Sequence, residues 1–278
     1  WAPGFHTITS EKDEEALKNA RQSIPASLMD ALDKAATQRH LLVATDFDGT
    51  LAPLVRNPRK AAPIPGSLEA LDTLATIPHT KAAIVSGRDI AGLRKVAPVT
   101  RDVTLVGSHG AEISDSDHEL TKHQRDLLKR LIEEVTQTAD SIPGATIEEK
   151  KYAVVLHTRT AQDPHEAKKR TVELEERLSA VPGVTLTRGK KVSEFAVINT
   201  TKDAALASLA ARWPTGADAI LYLGDDVTDE HIFTGLPARI TTPQTEIITV
   251  KVGEGDTAAQ YRIANELEAA AVLDYLCE

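Results

Sequence analysis

Cysteine is nearly absent from this chain, with Cys277 the single thiol in 278 residues. One thiol excludes an internal disulfide, which fits a reducing cytoplasm. A basic excess is also lacking: 32 Lys and Arg stand against 41 Asp and Glu, and the net charge of -9 argues against a nucleic-acid or membrane-surface partner. No run approaches the roughly 18 apolar residues of a membrane span. Residues 1–22 have no apolar signal-peptide core.

The most informative stretch is LLVATDFDGT, from Leu41 to Thr50. Its first five residues form a short, mainly apolar run, which is typical of a buried strand in a parallel sheet. Asp46 and Asp48 follow where this strand ends, and Gly49 permits a sharp turn. Open α/β sheets bind their ligands at this carboxyl edge. Because two like charges so close repel each other, the pair predicts a bound cation or a protonated carboxyl.

Further polar residues stand at comparable positions. Ser86 ends a second apolar strand and precedes a helix start, where free N–H groups attract an anion; simple helix capping is the alternative. Lys202 lies in the first turn of a predicted helix, where the dipole disfavours a cation, so an anionic partner is expected. Asp225, Asp226 and Asp229 follow another buried strand. Carboxylates from two strands favour Mg²⁺, and a hydroxyl with a lysine suits a phosphate.

The hydropathy pattern changes between residues 114 and 198. One long amphipathic helix, two strand-like runs, a second helix and two more strand-like runs predict an inserted α+β unit of order αββαββ. This unit interrupts an α/β domain, residues 1–113 and 199–278, whose parallel sheet is flanked by helices. Near the end of the chain, the pattern predicts a last strand at 247–252 and a closing helix at 265–276.

Several segments carry a resemblance to a known superfamily. The combination of DxDGT with GDDxTDE resembles the motifs of haloacid-dehalogenase-type phosphotransferases, and the segments involved are Asp46–Thr50, Ser86–Arg88, Lys202 and Gly224–Glu230. Within that superfamily, the chain resembles trehalose-6-phosphate phosphatases. The segments that carry this closer resemblance are Gly107–Glu112, Glu148–Lys150 leading to His157–Arg159, and Gly189–Glu194.

The resemblance implies a Rossmann-like core and a Mg²⁺-dependent phosphatase that hydrolyses trehalose 6-phosphate through an aspartyl-phosphate. Asp46 is then the nucleophile, and Asp48 protonates the leaving sugar oxygen and later deprotonates water. Ser86 and Lys202 stabilise the phosphoryl oxygens. The implied metal-binding residues are Asp46, Asp48 through its main-chain carbonyl, Asp225, and Asp229, which orients metal-bound water or Lys202.

The inserted unit is implied to be a cap that closes over the sugar, excludes water and sets specificity. A monomeric cytoplasmic enzyme is expected. The implied substrate-binding residues are Thr50, Gly87, Arg88, His109, Glu112, Lys150, His157, Arg159, Lys190 and Glu194.

Other functions fit the same core motifs. A phosphatase for sucrose phosphate or for a mannosyl-phosphoglycerate would differ only in the cap, and a sugar phosphomutase can carry the same type of cap. A non-catalytic binding or regulatory protein is a different class. The pair of Asp46 and Asp48 disfavours it, because a binder needs neither a nucleophile nor an acid. Phosphate release with Mg²⁺ separates an enzyme from a binder, and product analysis separates a hydrolase from a mutase.

Overall fold

The chain divides into two compact units, residues 1–117 with 201–278 and residues 118–200. The computed structural model describes residues 11–115, 119–198, 200–240, 242 and 244–278. Part of the stretch searched for a signal-peptide core, residues 1–10, lies outside the described residues. Within the described ranges, no helix has the length and apolar character needed to cross a membrane.

Helices and strands alternate along most of the chain. The helices are α1 (Glu11–Ser23), α2 (Ala26–Ala36), α3 (Ser67–Thr76), α4 (Ile90–Val96), α5 (Lys122–Asp140), α6 (Pro164–Ser179), α7 (Lys202–Ala210), α8 (Val227–Arg239) and α9 (Glu266–Tyr275). The strands are β1 (Leu41–Thr45), β2 (Thr80–Val85), β3 (Thr104–Gly107), β4 (Glu112–Ile113), β5 (Thr146–Glu149), β6 (Ala153–His157), β7 (Thr185–Gly189), β8 (Val192–Ala196), β9 (Ala219–Gly224), β10 (Glu246–Val252) and β11 (Tyr261–Ile263).

The larger unit contains a seven-stranded sheet in the order β11-β10-β9-β1-β2-β3-β4. Every neighbouring pair is parallel except β3 with β4, which is antiparallel. The predicted α/β class with a mainly parallel, helix-flanked sheet is therefore confirmed. β1 lies between β9 and β2, so its neighbours come from distant parts of the chain.

Both faces of β1 are covered, as its apolar run predicts. Leu41 and Val43 pack into a core with α2, α3 and α9, whereas Leu42 and Ala44 pack into a second core with α7 and α8. All five residues of β1 are buried. Burial of each leucine contributes about 1.5–3 kcal/mol, so the strand that carries the aspartates is held firmly from both sides.

The smaller unit has the predicted order αββαββ. Its sheet runs β5-β6-β8-β7 with antiparallel neighbours, and α5 and α6 pack on one face through a cluster that includes Leu131, Leu174 and Phe195. Asp163 caps α6 and Pro164 is its first residue. Both features follow from the sequence. An aspartate accepts hydrogen bonds from the free N–H groups of the first turn, and proline has no N–H that would need an acceptor there.

One sequence-based expectation near the C-terminus is wrong, and one helix was not predicted. The strand predicted at 247–252 is not the last, because β11 follows and pairs with β10 in parallel. Three residues are too short for a recognisable period, so β11 depends on its neighbour rather than on its own pattern. Helix α8 also escaped prediction: its buried side chains follow no clear stripe, and Pro237 lies inside it. The closing helix is confirmed as α9.

Candidate active site

Three neighbouring strands of the larger unit each lead directly into a polar side chain. β1 leads to Asp46, β2 to Ser86 and β9 to Asp225. Thr45, the last residue of β1, pairs with a residue of each neighbour, so the three strands end at nearly the same level. The parallel register therefore brings the carboxylates and the hydroxyl to one edge of the sheet, as the sequence predicts.

Asp46 is buried, and both of its carboxylate oxygens have hydrogen-bond donors. Oδ1 accepts from the Phe47 main-chain N–H at 2.7 Å, and Oδ2 accepts from Lys202 Nζ at 3.0 Å. Burial raises the pKa of Asp46, the Lys202 ammonium opposes that shift, and Asp229 adds to it. A carboxylate attacks only when ionised, so this site needs positive charge close to Asp46.

Lys202 is the first residue of α7, where the helix dipole disfavours a cation. Its Nζ donates to Asp46 at 3.0 Å and to Asp229 at 2.9 Å, so its anionic partners come from the chain itself. Burial lowers the pKa of Lys202, but the two carboxylates outweigh burial and the pKa is raised. Lys202 therefore keeps its proton and holds a fixed positive charge against Asp46.

Asp229 is fully buried and receives donors at both oxygens. Oδ1 accepts from Lys202 Nζ at 2.9 Å and from the Tyr222 hydroxyl at 2.7 Å, while Oδ2 accepts from the N–H groups of Asp225 and Asp226 at 3.0 and 3.1 Å. A Cβ on Gly224 would lie 2.4 Å from Asp229 Cγ, so glycine is required there. These contacts fix Asp229 beside Lys202, and its predicted role of orienting Lys202 or metal-bound water stays a prediction.

The acidic residues at this edge fit a metal ion. Asp46, Asp225 and Asp229 each offer a carboxylate oxygen, and these atoms lie within 4.8 Å of one another. Burial, with repulsion from Asp229 and Asp226, raises the pKa of Asp225 to about 7. A divalent cation among hard carboxylate oxygens would relieve this repulsion. Because the donors to Asp229 use its lone pairs, Asp46 and Asp225 have more remaining capacity to ligate.

Asp225 reaches the site only because Gly49 has no side chain. Gly49 has φ of +80°, and a Cβ there would lie 2.0 Å from Asp225 Oδ2. The next residue, Thr50, donates from Oγ1 to Asp225 Oδ1 at 3.3 Å. Gly49 and Thr50 therefore position a carboxylate of the acidic cluster, and contact between Thr50 and substrate stays a prediction.

Asp48 forms a bidentate ion pair that the sequence does not reveal. Nε and Nη2 of Arg88 each lie 2.6 Å from one of its oxygens. The Asp48 side chain remains 33% exposed, so the pair stands at the mouth of the site rather than in the core. The predicted acid, Asp48, and the predicted substrate-binding residue, Arg88, therefore contact each other directly.

A cavity of about 450 Å³ opens at this edge of the larger unit. His109 lies against Gly87, where a Cβ would be 2.6 Å from its Cε1 atom. The hydroxyl oxygen of Ser86 accepts from the N–H of Arg88 at 3.2 Å. The predicted site residues that line the cavity are Asp46, Asp48, Ser86, Gly87, Arg88, His109, Lys202 and Asp225.

Glu112 has a different environment from the other predicted residues of this unit. It is buried in β4, and its Oε1 accepts from the Ser108 hydroxyl at 2.6 Å. This contact braces the turn that carries His109. Contact between Glu112 and substrate stays a prediction.

The predicted sugar-binding residues of the smaller unit fall into two groups. Glu194 of β8 receives Lys150 Nζ at 2.6 Å, and His157 of β6 lies 3.0 Å from Glu148. Glu148 and Glu194 both pair across strands with Val155, so the two carboxylates project from the same face of the sheet. The remaining predicted residues, Arg159 and Lys190, are exposed.

Sequence reasoning missed two residues that contact the acidic cluster. Tyr222 donates to Asp229, and Lys251 donates to the main-chain carbonyl of Asp225. Both lie in apolar strands that end at the site. A buried hydroxyl or ammonium needs a polar partner, so their presence in such strands was an available signal.

The parallel sheet, with acidic residues at the ends of its strands and an inserted α+β unit, defines the class: a haloacid dehalogenase-like α/β protein. The family model described as Trehalose-phosphatase matches residues 44–266. The chain belongs to the trehalose-phosphatase family.

Similar proteins include the trehalose-phosphate phosphatase of Mycobacterium tuberculosis, which is 30% identical over 98% of this chain and 71% of its own length. An uncharacterized glycosyl hydrolase of the same organism is 33% identical over 88% of this chain, which spans only 19% of that relative. Among solved structures, trehalose-6-phosphate phosphatase of Aspergillus fumigatus has a TM-score of 0.66 and 27% identity, covering 92% of this chain and 97% of its own.

Proposed function

We propose that this protein is a Mg²⁺-dependent phosphatase that converts trehalose 6-phosphate and water into trehalose and phosphate. The observation that carries the proposal is the contact of Lys202 with Asp46 at 3.0 Å, in a cavity that Asp48 also lines. A nucleophile with a fixed ammonium beside it and an acid two residues away is suited to phosphoryl transfer. The family match at residues 44–266 supports trehalose 6-phosphate as the substrate.

The first step transfers the phosphoryl group to the protein. A carboxylate oxygen of Asp46 forms a bond to phosphorus as the bond from phosphorus to the sugar oxygen breaks. Asp48 donates its proton to that oxygen, so trehalose leaves as a neutral alcohol. Lys202 and Ser86 stabilise the negative charge of the equatorial oxygens. Arg88 binds Asp48 in this structure, and an incoming phosphate that competes for the guanidinium would release it.

The second step returns the protein to its starting state. Asp48 removes a proton from water, the water oxygen bonds to phosphorus, and the bond from Asp46 to phosphorus breaks. Phosphate leaves, and Asp46 is again a carboxylate. Mg²⁺ bound by Asp46 and Asp225 would supply charge neutralisation between the carboxylate and the phosphate.

We also propose a cytoplasmic location, with which the single cysteine of the chain agrees.

Removal of divalent cations tests the metal part of this proposal. With excess chelator, turnover of trehalose 6-phosphate is expected to fall by at least about twentyfold, because the repulsion between Asp46 and the phosphate is then no longer neutralised by the metal. Added Mg²⁺ restores the rate, and Ca²⁺ restores less because its longer, looser coordination misplaces the phosphate. The measurement is phosphate release after each addition. Full activity in excess chelator would contradict the proposal.

A panel of sugar phosphates tests the substrate. Trehalose 6-phosphate is expected to give the highest kcat/KM, above sucrose phosphate, a mannosyl-phosphoglycerate and glucose 6-phosphate, and the products are free trehalose and phosphate. A rearranged sugar phosphate would identify a mutase instead. If no phosphate is released from any of these esters, the protein is a non-catalytic binding protein instead.

We also propose that the smaller unit supplies substrate specificity, with boundaries predicted at 114 and 198. A disaccharide offers hydroxyls, and a site built to hydrogen-bond them can reject analogues strongly. Glu194 is the sharpest candidate because its carboxylate, held by Lys150 at 2.6 Å, is suited to accept hydrogen bonds from hydroxyls. Lys190, Arg159, His157 and Glu112 remain proposed contacts.

The Glu194→Ala variant is expected to lower kcat/KM for trehalose 6-phosphate by ~10²-fold, because the sugar loses a charged acceptor. Hydrolysis of a small phosphate ester needs the larger unit alone and should change by less than about threefold. The matched control is Glu166→Ala, which removes the ion pair with Arg170 on α6 and should alter neither rate. If both substrates slow together in a folded Glu194→Ala protein, Glu194 is structural.

A further inference from the structure

A buried lysine stands beside the acidic cluster without belonging to it. Lys251 lies near the end of β10 and is 5% exposed. Its flanking residues, Val250 and Val252, are also buried. Burial of an ammonium in such surroundings costs free energy unless good partners compensate. The contacts of the Lys251 ammonium must therefore compensate for its burial.

The contacts of Lys251 lead to the main chain of Asp225. The register places Lys251 opposite Gly224, one residue before Asp225, and Nζ donates to the Asp225 carbonyl oxygen. Nζ also lies 3.7 Å from Oε1 of Glu230, in the first turn of α8. The second oxygen of Glu230 accepts from the N–H of Ala258 at 2.8 Å. Lys251 thus joins β10, the end of β9 and α8.

Both peptide groups of Asp225 are consequently held in place. Its N–H donates to Asp229 at 3.0 Å, and its carbonyl accepts from Lys251. With the peptide on each side fixed, the backbone of Asp225 has little freedom to rotate, and the carboxylate keeps its direction toward Asp46. Loss of the Lys251 contact leaves the second of these peptides held only by the Asp226 N–H, which donates to Asp229 at 3.1 Å.

We infer that Lys251, paired with Glu230, is a positioning residue that aims the Asp225 carboxylate at a divalent cation. The inference rests on the cation site of the proposed function. Charge and positioning predict opposite changes in the affinity for the cation when Lys251 is removed. Placed near the site, a lysine that acted through charge alone would repel a cation, so its removal would strengthen binding. A lysine that acts by positioning strengthens binding, so its removal weakens it.

Calorimetric titration of the cation-free protein with MgCl₂ distinguishes these outcomes without any measurement of turnover. Lys251→Met, which keeps the length of the side chain and removes the ammonium, is expected to raise the Kd for Mg²⁺ about tenfold, the scale found for groups that support metal ligands. At saturating Mg²⁺, the KM for trehalose 6-phosphate should change by less than about twofold. The matched control is Lys34→Met. It removes the ion pair with Glu246 at the opposite end of β10 and should leave the Kd unchanged.

Thermal unfolding without Mg²⁺ reports whether each variant is folded. If Lys251→Met does not fold, Lys251→Gln, which also removes the ammonium and is shorter, replaces it in the titration, and the Kd is again expected to rise by at least about threefold. An unchanged or lower Kd in the folded variant overturns the inference, as does a wild-type protein that binds no Mg²⁺. Wild-type protein that binds Mg²⁺ but does not hydrolyse the sugar phosphate refutes the proposed function alone.

Discussion

Replacement of Asp46 by asparagine is expected to lower kcat for trehalose 6-phosphate by at least ~10³-fold. The amide keeps the shape of the side chain and can still accept from the Phe47 N–H, but it has no negative charge to attack phosphorus. It also loses charge as a metal ligand. Among the described residues, the only other carboxylate that contacts Lys202 is that of Asp229, which is fully buried and does not line the cavity. The measurement is phosphate release under single-turnover conditions.

A second readout separates loss of the nucleophile from loss of structure. Rapid acid quench of the wild-type protein during turnover should yield a phosphorylated aspartate at position 46 by mass spectrometry, and Asp46→Asn should yield none. The matched control is Asp218→Asn, because Asp218 precedes the opposite end of β9 and accepts from the His40 N–H at 2.9 Å. Its rate should stay within about twofold of the wild type. Retention of a tenth of the wild-type rate by Asp46→Asn would rule out Asp46 as nucleophile.

The sequence predicts the strands of the larger unit well where burial alone decides them. The apolar runs of β1 and β9 are each covered on both faces of the sheet. A continuous apolar run was therefore correctly interpreted as a buried strand. Parallel strands also share an edge by geometry. The approach of Asp46 to Asp225 therefore follows from where the two strands end, without any side-chain information.

Contacts between distant side chains could not be predicted in this way. Arg88 is recognisable as an anion-binding residue, but its bidentate contact with Asp48 depends on the turn after β1 and the start of α4 lying side by side. The four donors to Asp229 come from two separate parts of the chain, the start of α7 and residues 222–226. Hydrophobic periodicity cannot predict these contacts, because it shows which face of one helix or strand is buried and not which element packs against that face.

The Lys202→Met variant is expected to lower kcat/KM by about 10³-fold. Methionine has nearly the same length but no charge, so Asp46 and Asp229 lose the ammonium that both contact. Loss of one partner from a buried ion pair costs about 3–5 kcal/mol, which should appear as a lower free energy of unfolding in urea. Without Lys202, the pKa of Asp46 rises further, and a protonated Asp46 cannot attack. Activity and stability should therefore both fall, by comparable free energies.

Two comparisons keep this result interpretable. Lys81→Met removes a lysine that stacks 4.7 Å from the Trp213 ring at the other end of the sheet, and its activity should change by less than about twofold. Lys202→Gln restores an N–H donor without charge, so it should recover stability but little activity, since the phosphoryl oxygens require a full positive charge. If Lys202→Gln recovers both, a hydrogen bond is sufficient and the charge of Lys202 has no part in the reaction. A folded Lys202→Met protein with a tenth of the wild-type rate would exclude Lys202 from the phosphate site.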